Sequence, residues 1–346
     1  MHPGGGQVTT APVGRGAVIL GCAGPRLFPA EARLFSEADP LGFILFARNC
    51  ESAAQIRALC DSLRDAVGRD APILIDQEGG RVQRLRPPLA SQWRPPLEDA
   101  VRAGPQAAHA LFLRYRIIAA ELLELGIDAN CAPLADIAGP RTHPFLRNRC
   151  YGETLPEVVA RARAVAGGLM EGGVLPVLKH IPGHGRAAAD SHLEPPRVEA
   201  PLEALRATDF AAFAALSDLP MGMTAHVIYS ALDDRPATVS PAAIGLIREE
   251  LGFDGLLMTD DISMQALQGD VAQRAAAAIG AGCDVVLHCN GEIAEMAAVA
   301  AAAGALSAAG RRRAAAALAC RATPAPVDID ALQAQFLALV GGGADA

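Results

Sequence analysis

Three histidines, His180, His184 and His192, fall within the stretch KHIPGHGRAAADSH, together with Lys179 and Asp190. Imidazole, ammonium and carboxylate groups at this density can bind a metal, move a proton or hold a hydroxylated ligand. The i, i+4 spacing of His180 and His184 is the one that places two zinc ligands on a helix face. Pro182, Gly183 and Gly185 break any helix there, and the glutamate of an HExxH pattern is absent. A metal-dependent alternative would have to draw on separate elements, with His180, His226 and an aspartate as ligands. The triplet Asp190-Ser191-His192 allows a second chemistry. A carboxylate two residues from an imidazole can orient it and stabilise its protonated form, giving a general acid/base on a Gly-rich loop. A solvated loop is the plain alternative.

A further carboxylate stands out. Asp260 ends the apolar run GLLMT (255–259), where an ionised side chain is costly unless it is paired or needed. Its neighbour Asp261 precedes ISMQAL and is accounted for as a helix N-cap; Asp260 is not.

The elements that must position these groups alternate regularly. Eight short apolar runs read as strands: 17–21, 42–46, 72–76, 127–132, 174–178, 221–225, 255–259 and 284–288. Helical periodicity or Ala-rich composition falls at 52–67, 106–125, 155–171, 202–216, 240–251, 269–280 and 292–308, with further helices near 310–320 and 329–340 packed outside. Runs apolar on nearly every residue suit a parallel sheet covered on both faces. Eight of them alternating with helices predict an α/β fold, a single (β/α)8 barrel, with a doubly wound sheet as the alternative. The expected division is a flexible segment 1–15, one barrel domain over 16–340 and a tail 341–346. In such barrels chemistry collects after the strands' C-terminal ends. Those positions hold Arg48, Asn49, Asp76, Glu78, Asp136, Lys179, His180, His226, Asp260, Asp261 and Asn290. Polar turn residues explain Asn and Asp at strand ends, but not Lys-His, Arg or lone His.

Composition narrows the partners. The 346 residues are 51% hydrophobic and 20% charged, with net charge -8 and 4% aromatics. That is a folded chain with neither the basic footprint nor the stacking platform of a nucleic-acid binder, and Arg311, Arg312 and Arg313 form only a short cluster. No apolar tract reaches the roughly 20 residues that span a bilayer, and the N-terminus lacks the pattern of an export signal, so a cytoplasmic protein with no membrane partner is expected. The eight cysteines show no CxxC pair and read as reduced core or loop residues. A monomer is the expectation for oligomeric state.

The motifs GFILFARN (42–49), LIDQEGGRVQRL (74–85), KHIPGHGRAAADSH (179–192), MTAHVIYSALDDRPAT (223–238) and LGFDGLLMTDDISM (251–264) occur in this order. In them the chain resembles the glycoside hydrolase family 3 β-N-acetylhexosaminidases, which trim N-acetylglucosamine from recycled peptidoglycan fragments in the cytoplasm. The resemblance implies retaining hydrolysis with no cofactor and no metal. Asp260 would be the nucleophile and His192 the acid/base with Asp190 as its partner, while Asp76, Arg84, Arg149, Lys179 and His180 would bind a small carbohydrate substrate. Glu78 is expected in a supporting role, His184 in tying the PGHG turn through hydrogen bonds, and His226 on the pocket floor. The wording around Arg149, FLRNRCY, departs from the family's, and Ile181 replaces its usual Phe. Within the family a glycoside phosphorylase or a β-glycosidase for another sugar is the alternative, and outside it a non-catalytic sugar-binding barrel.

Overall fold

The computed structural model describes residues 12–187, 195–324 and 326–341. Eight strands form a closed barrel: β1 Gly16–Leu20, β2 Pro40–Leu45, β3 Ile73–Ile75, β4 Ala129–Asn130, β5 Leu175–Ile181, β6 Met221–Thr224, β7 Leu256–Asp261 and β8 Val285–His288. Each pairs with its neighbours in parallel, and β8 closes on β1 with Val286 opposite Val18. This is the (β/α)8 barrel expected from the alternation of elements. Every residue of these strands is buried except Asp260 and Asp261, the last two of β7. The continuous burial is why the runs are apolar without alternation.

The surrounding helices start and stop where local chemistry dictates. Ser52 accepts from the backbone N–H of Gln55 and opens helix Ala53–Val67, which Gly68 ends at φ 63°. Asp270 and Gln273 form a reciprocal capping pair at the start of Val271–Ala281, which ends at Gly282 with φ 113°. Helices Ala107–Glu124 and Leu155–Glu171 approach so closely at Gly168 that a Cβ there would lie 2.5 Å from the Phe112 carbonyl oxygen. At the barrel's N-terminal end Arg313 reaches Asp254 at 2.7 Å and Asp284 at 3.1 Å, and Arg321 reaches Asp128 at 2.7 Å. Helix Ala308–Ala319 is thereby tied to the barrel, and Arg313 is spent on structure.

Several expectations change. The stretch 202–216 is two helices, Leu202–Ala207 and Asp209–Ala214, parted at Thr208. The stretch 240–251 passes from the α-helix Pro241–Gly245 to a π turn Leu246–Glu250. Helices Pro29–Ala38 and Pro96–Ala103 were not foreseen. Strand β4 is shorter than 127–132, although backbone bonds run on past it, from the Cys131 N–H to the Ile75 carbonyl at 2.9 Å and from the Val177 N–H to the Ala132 carbonyl at 2.8 Å, and a bridge pairs Leu134 with Lys179. Asp261 is not a helix N-cap, since only turns follow it before Val271. Among the described residues no helix is long and apolar enough to cross a membrane. All eight cysteines are free.

Candidate active site

A pocket opens at the C-terminal end of the barrel, lined by Asp76, Arg84, Arg149, Lys179, His180 and Asp260, the six expected site residues that fall among the described ones. Asp190 and His192 lie outside the described residues. Two strands change register where the site residues sit. Against β6, β5 is irregular between Leu178 and Ile181; against β8, β7 is irregular between Met258 and Asp261. Successive residues of a regular strand face opposite sides. Here Lys179 and His180 both line the pocket, as do Asp260 and Asp261, which is the re-aiming that bulges provide.

One wall is a chain of alternating charges. Arg84 Nη2 donates to Asp76 Oδ2 at 2.9 Å, and Lys179 Nζ donates to Asp76 Oδ1 at 3.0 Å and lies 2.6 Å from Glu78 Oε1. Arg149 grips Glu78 with two bonds, Nε to Oε2 at 2.9 Å and Nη2 to Oε1 at 2.8 Å. Glu78 is fully buried and Lys179 nearly so. Burial pushes both carboxyls up, but Lys179 and Arg84 hold Asp76, and Arg149 and Lys179 hold Glu78, below the ordinary carboxylate range. Burial likewise pulls Lys179 down, and Asp76 and Glu78 more than reverse it. The wall is therefore fully ionised at neutral pH and rigid, offering cationic donors and carboxylate acceptors to a polyhydroxylated ligand. Glu78 takes the supporting place expected of it. Arg149 has two of its nitrogens committed to Glu78, leaving only its remaining edge for a ligand.

The floor carries the imidazoles and the reactive carboxylate. His180 Nδ1 sits 2.7 Å from Asp136 Oδ2, and the other oxygen of Asp136 accepts the backbone N–H of His184 at 2.6 Å. Buried Asp136 thus fixes the His180 ring, leaving Nε2 for a ligand, and the same carboxylate ties the PGHG turn. That tie runs through the backbone of His184. Its ring Nδ1 has no partner among the described residues, and burial, with His180 beside it, pushes the ring's pKa down to about 4. His226 also departs from expectation. Its ring lies beneath the floor, with Nδ1 2.7 Å from Thr238 Oγ1 and Nε2 3.0 Å from the Asp261 carbonyl, so neither nitrogen is available to a metal. The floor itself includes Met223 and Leu287.

Asp260 differs from the other pocket carboxylates. Asp76 is tied to two cations, while Asp261 accepts from the Ser263 hydroxyl at 2.7 Å and the Cys289 N–H at 3.2 Å. Asp260 Oδ1 accepts only the N–H of Asp261, at 2.8 Å, and Asp260 makes no ion pair among the described residues. Burial raises its pKa, but His180, His226, the Asp261 N–H and Lys179 together bring it below the usual value. The result is an ionised carboxylate with one oxygen uncommitted among the described residues, in the field of the Lys179 cation. Such a group can attack an electrophilic carbon or stabilise a cationic one.

The remaining walls are apolar or aromatic: Phe46, held between Arg48 at 4.9 Å and Arg84 at 5.2 Å, with Met264, Phe145 and His143. Among the described residues no group of three metal-ligating side chains converges. Asp136 is the functional residue whose role sequence reasoning missed. It stands among the strand-end polar residues, but nothing in its local sequence pairs it with a histidine 44 positions away.

Residues 30–317 match the model of the glycosyl hydrolase family 3 N terminal domain. The chain is 40% identical over 282 residues to the beta-hexosaminidase of Alkalilimnicola ehrlichii, covering 80% of this chain and 81% of that one. It is 39% identical over 322 residues to the beta-hexosaminidase of Methylococcus capsulatus, covering 90% and 93%. The crystal structure of NagZ from Neisseria gonorrhoeae in complex with N-trifluoroacetyl-D-glucosamine superposes with a TM-score of 0.82 at 28% identity, covering 95% of this chain and 97% of that one. Barrel, pocket and sequence agree: the chain belongs to glycoside hydrolase family 3 and is a glycoside hydrolase of the β-hexosaminidase type.

Proposed function

We propose that the protein is a retaining exo-β-N-acetylglucosaminidase that removes terminal β-1,4-linked N-acetylglucosamine from peptidoglycan fragments in the cytoplasm, working as a monomer without metal or cofactor. The observation that supports this reading is the ionised Asp260, with one oxygen uncommitted among the described residues, beside pocket carboxylates that are tied. In the first step Asp260 attacks the anomeric carbon while His192 gives its proton to the departing sugar oxygen, leaving a glycosyl ester. In the second step His192 takes a proton from water, the water oxygen bonds to the same carbon, and Asp260 is released with net retention. Asp190 orients His192. The charged wall of Asp76, Arg84, Lys179 and Arg149, with His180, holds the sugar's hydroxyl and acetamido groups. The hexosamine bound in the Neisseria gonorrhoeae relative and the beta-hexosaminidase relatives support the sugar class. The peptidoglycan origin of the substrate rests on the motif resemblance.

A histidine suits the second role because its unperturbed pKa of about 6.5 moves protons near neutral pH without deep burial. When neutral, it places no second anion beside the intermediate, so phosphate in place of water is the alternative acceptor to test. The test is release of a chromogenic aglycone from a β-N-acetylglucosaminide by wild type, Asp260→Ala and His192→Ala, with and without phosphate. Near-total loss in the first variant and a smaller loss in the second are expected, since a good leaving group needs little protonation. The product should be free sugar. Sugar phosphate would make the enzyme a phosphorylase, and full activity in Asp260→Ala would remove the proposed nucleophile. A disaccharide of N-acetylglucosamine and anhydro-N-acetylmuramic acid bearing its peptide, compared with the peptide-free form, tests the fragment class.

A further inference from the structure

The turn that follows His180 is held from both sides of a single peptide bond. The carbonyl of Gly183 accepts the hydroxyl of Tyr229, and the N–H of His184, at the other end of the same peptide, donates to Asp136 Oδ1 at 2.6 Å. Among the described residues no backbone N–H reaches that carbonyl. A trans peptide is planar, with its C=O and N–H directed oppositely, so these two bonds together fix one plane. Gly183 has φ 138°, and a Cβ there would lie 3.1 Å from Asp209 Cβ, so the turn sits close against helix Asp209–Ala214. Tyr229 is itself held in place. Its buried ring meets Phe210 of that helix edge-on, with centroids 5.5 Å apart. Its backbone lies in a short parallel ladder of Ile228–Tyr229 with Arg197–Val198, where the Ile228 N–H donates to the Pro196 carbonyl at 2.9 Å and the Ser230 N–H to the Val198 carbonyl at 3.0 Å.

These contacts lead to the pocket. Asp136 receives the His184 N–H on Oδ1 and holds His180 Nδ1 with Oδ2 at 2.7 Å, so the direction of the His184 N–H sets the carboxylate that orients the His180 ring. Tyr229 does not line the pocket, whereas His180 does. We infer that Tyr229 is a positioning residue of the site: its hydroxyl fixes the Gly183–His184 peptide plane and, through Asp136, the ring of His180. Without that hydroxyl the Gly183 carbonyl loses its partner, and a carbonyl left unpaired turns its peptide toward another donor. The same rotation draws the His184 N–H away from Asp136 and frees the carboxylate to swing beneath His180. The inference rests on the reading of His180 as a residue that holds the sugar.

Tyr229→Phe deletes the hydroxyl and keeps the ring against Phe210, and two measurements follow its effect. The first is kcat/KM on a chromogenic β-N-acetylglucosaminide in the wild-type and His180→Ala backgrounds. A fall of about 10-fold is expected in the former and of less than about 2-fold in the latter, because the route through His180 is already cut. The second needs no substrate: the His180 Nδ1–H proton, moved downfield by its bond to the Asp136 carboxylate and assigned by its absence in His180→Ala, should shift upfield or broaden in Tyr229→Phe. Equal losses in both backgrounds would show that the hydroxyl acts elsewhere than on His180. No loss in the wild-type background, or an unchanged proton resonance, would show that it does not hold the ring; each of the three overturns the inference. Wild-type activity in His180→Ala would instead overturn the sugar-holding reading of His180 and the inference with it, a failure told apart by the single variant alone.

Discussion

Glu78→Gln removes one charge from the centre of the buried wall. Wild-type Glu78 is fully buried and accepts two hydrogen bonds from Arg149 while lying 2.6 Å from Lys179 Nζ. By formal charge the wall of Arg84, Asp76, Lys179, Glu78 and Arg149 carries three positive and two negative groups, a net of +1. Glutamine keeps the shape, but the net becomes +2 and its amide NH2 faces a cationic donor. Removing one partner of a buried ion pair costs about 3–5 kcal/mol, because the remaining charge stays buried without compensation. The sign of the pH dependence follows from the depressed Glu78 pKa. The stabilisation is full above the unfolded value of about 4.3 and is lost as pH falls through the lower folded value. Urea unfolding at pH 7 should therefore separate variant from wild type by about 3–5 kcal/mol, with the gap closing in acid. Arg149→Met in the Glu78→Gln background should cost much less than in wild type, since its partner is already gone. A variant within about 1 kcal/mol of wild type at pH 7, or additive effects of the two substitutions, would refute the claim that Glu78 holds Lys179 and Arg149 in place.

Three further outcomes are expected. Asp136→Asn removes the anion that fixes His180 and leaves one acceptor oxygen where two served His180 and the His184 N–H, and should lower kcat/KM on the order of 10- to 100-fold with an altered pH profile; an unchanged profile would deny Asp136 its hold on His180. Gly185→Ala places a Cβ 2.1 Å from the Ile137 carbonyl oxygen, so the segment leading to residues 188–194 must move, and activity should fall about 10-fold or more while the barrel stays folded; wild-type kinetics would show that this stem is not needed. His184, with a folded pKa of about 4 against 6.5 unfolded, binds fewer protons in the native state across that window, so stability declines as pH falls from about 6.5 to 4, by about 3 kcal/mol in all. His184→Gln should flatten that decline in urea midpoints measured from pH 7 to pH 4.5, and an unaltered slope would place the cause elsewhere.

The barrel was legible because its strands are buried on both faces and so read as unbroken apolar runs, from AVILG at β1 to DVVLH at β8. What broke the pattern inside a strand pointed to the site. Asp260, at the end of LLMTDD, was visible as a carboxylate that local structure does not explain, and it is one of two barrel-strand residues left partly exposed. Pairings across the fold were not legible. Glu78 meets Arg149 across 71 positions, and Asp136 meets His180 across 44, so only the side-by-side pairing of consecutive strands brings them together. Local signals also misled where they were incomplete. Asp261 looked like a helix cap because ISMQAL is apolar, but its carboxylate caps a turn at Ser263 and no helix follows until Val271. His226 looked like a pocket residue from its place after β6, yet hydrogen bonds to Thr238 and the Asp261 carbonyl fix it below the floor.

The role of Asp260 is tested most directly by trapping the intermediate. Incubation with a fluorinated N-acetylglucosamine derivative that forms the glycosyl ester readily and hydrolyses it slowly, followed by proteolysis and mass spectrometry, should yield one adduct of sugar mass on the peptide containing Asp260, with fragmentation locating it on that residue. An adduct on Asp261, Asp76 or Glu78, or inactivation without any covalent sugar, would contradict the assignment of Asp260 as the nucleophile.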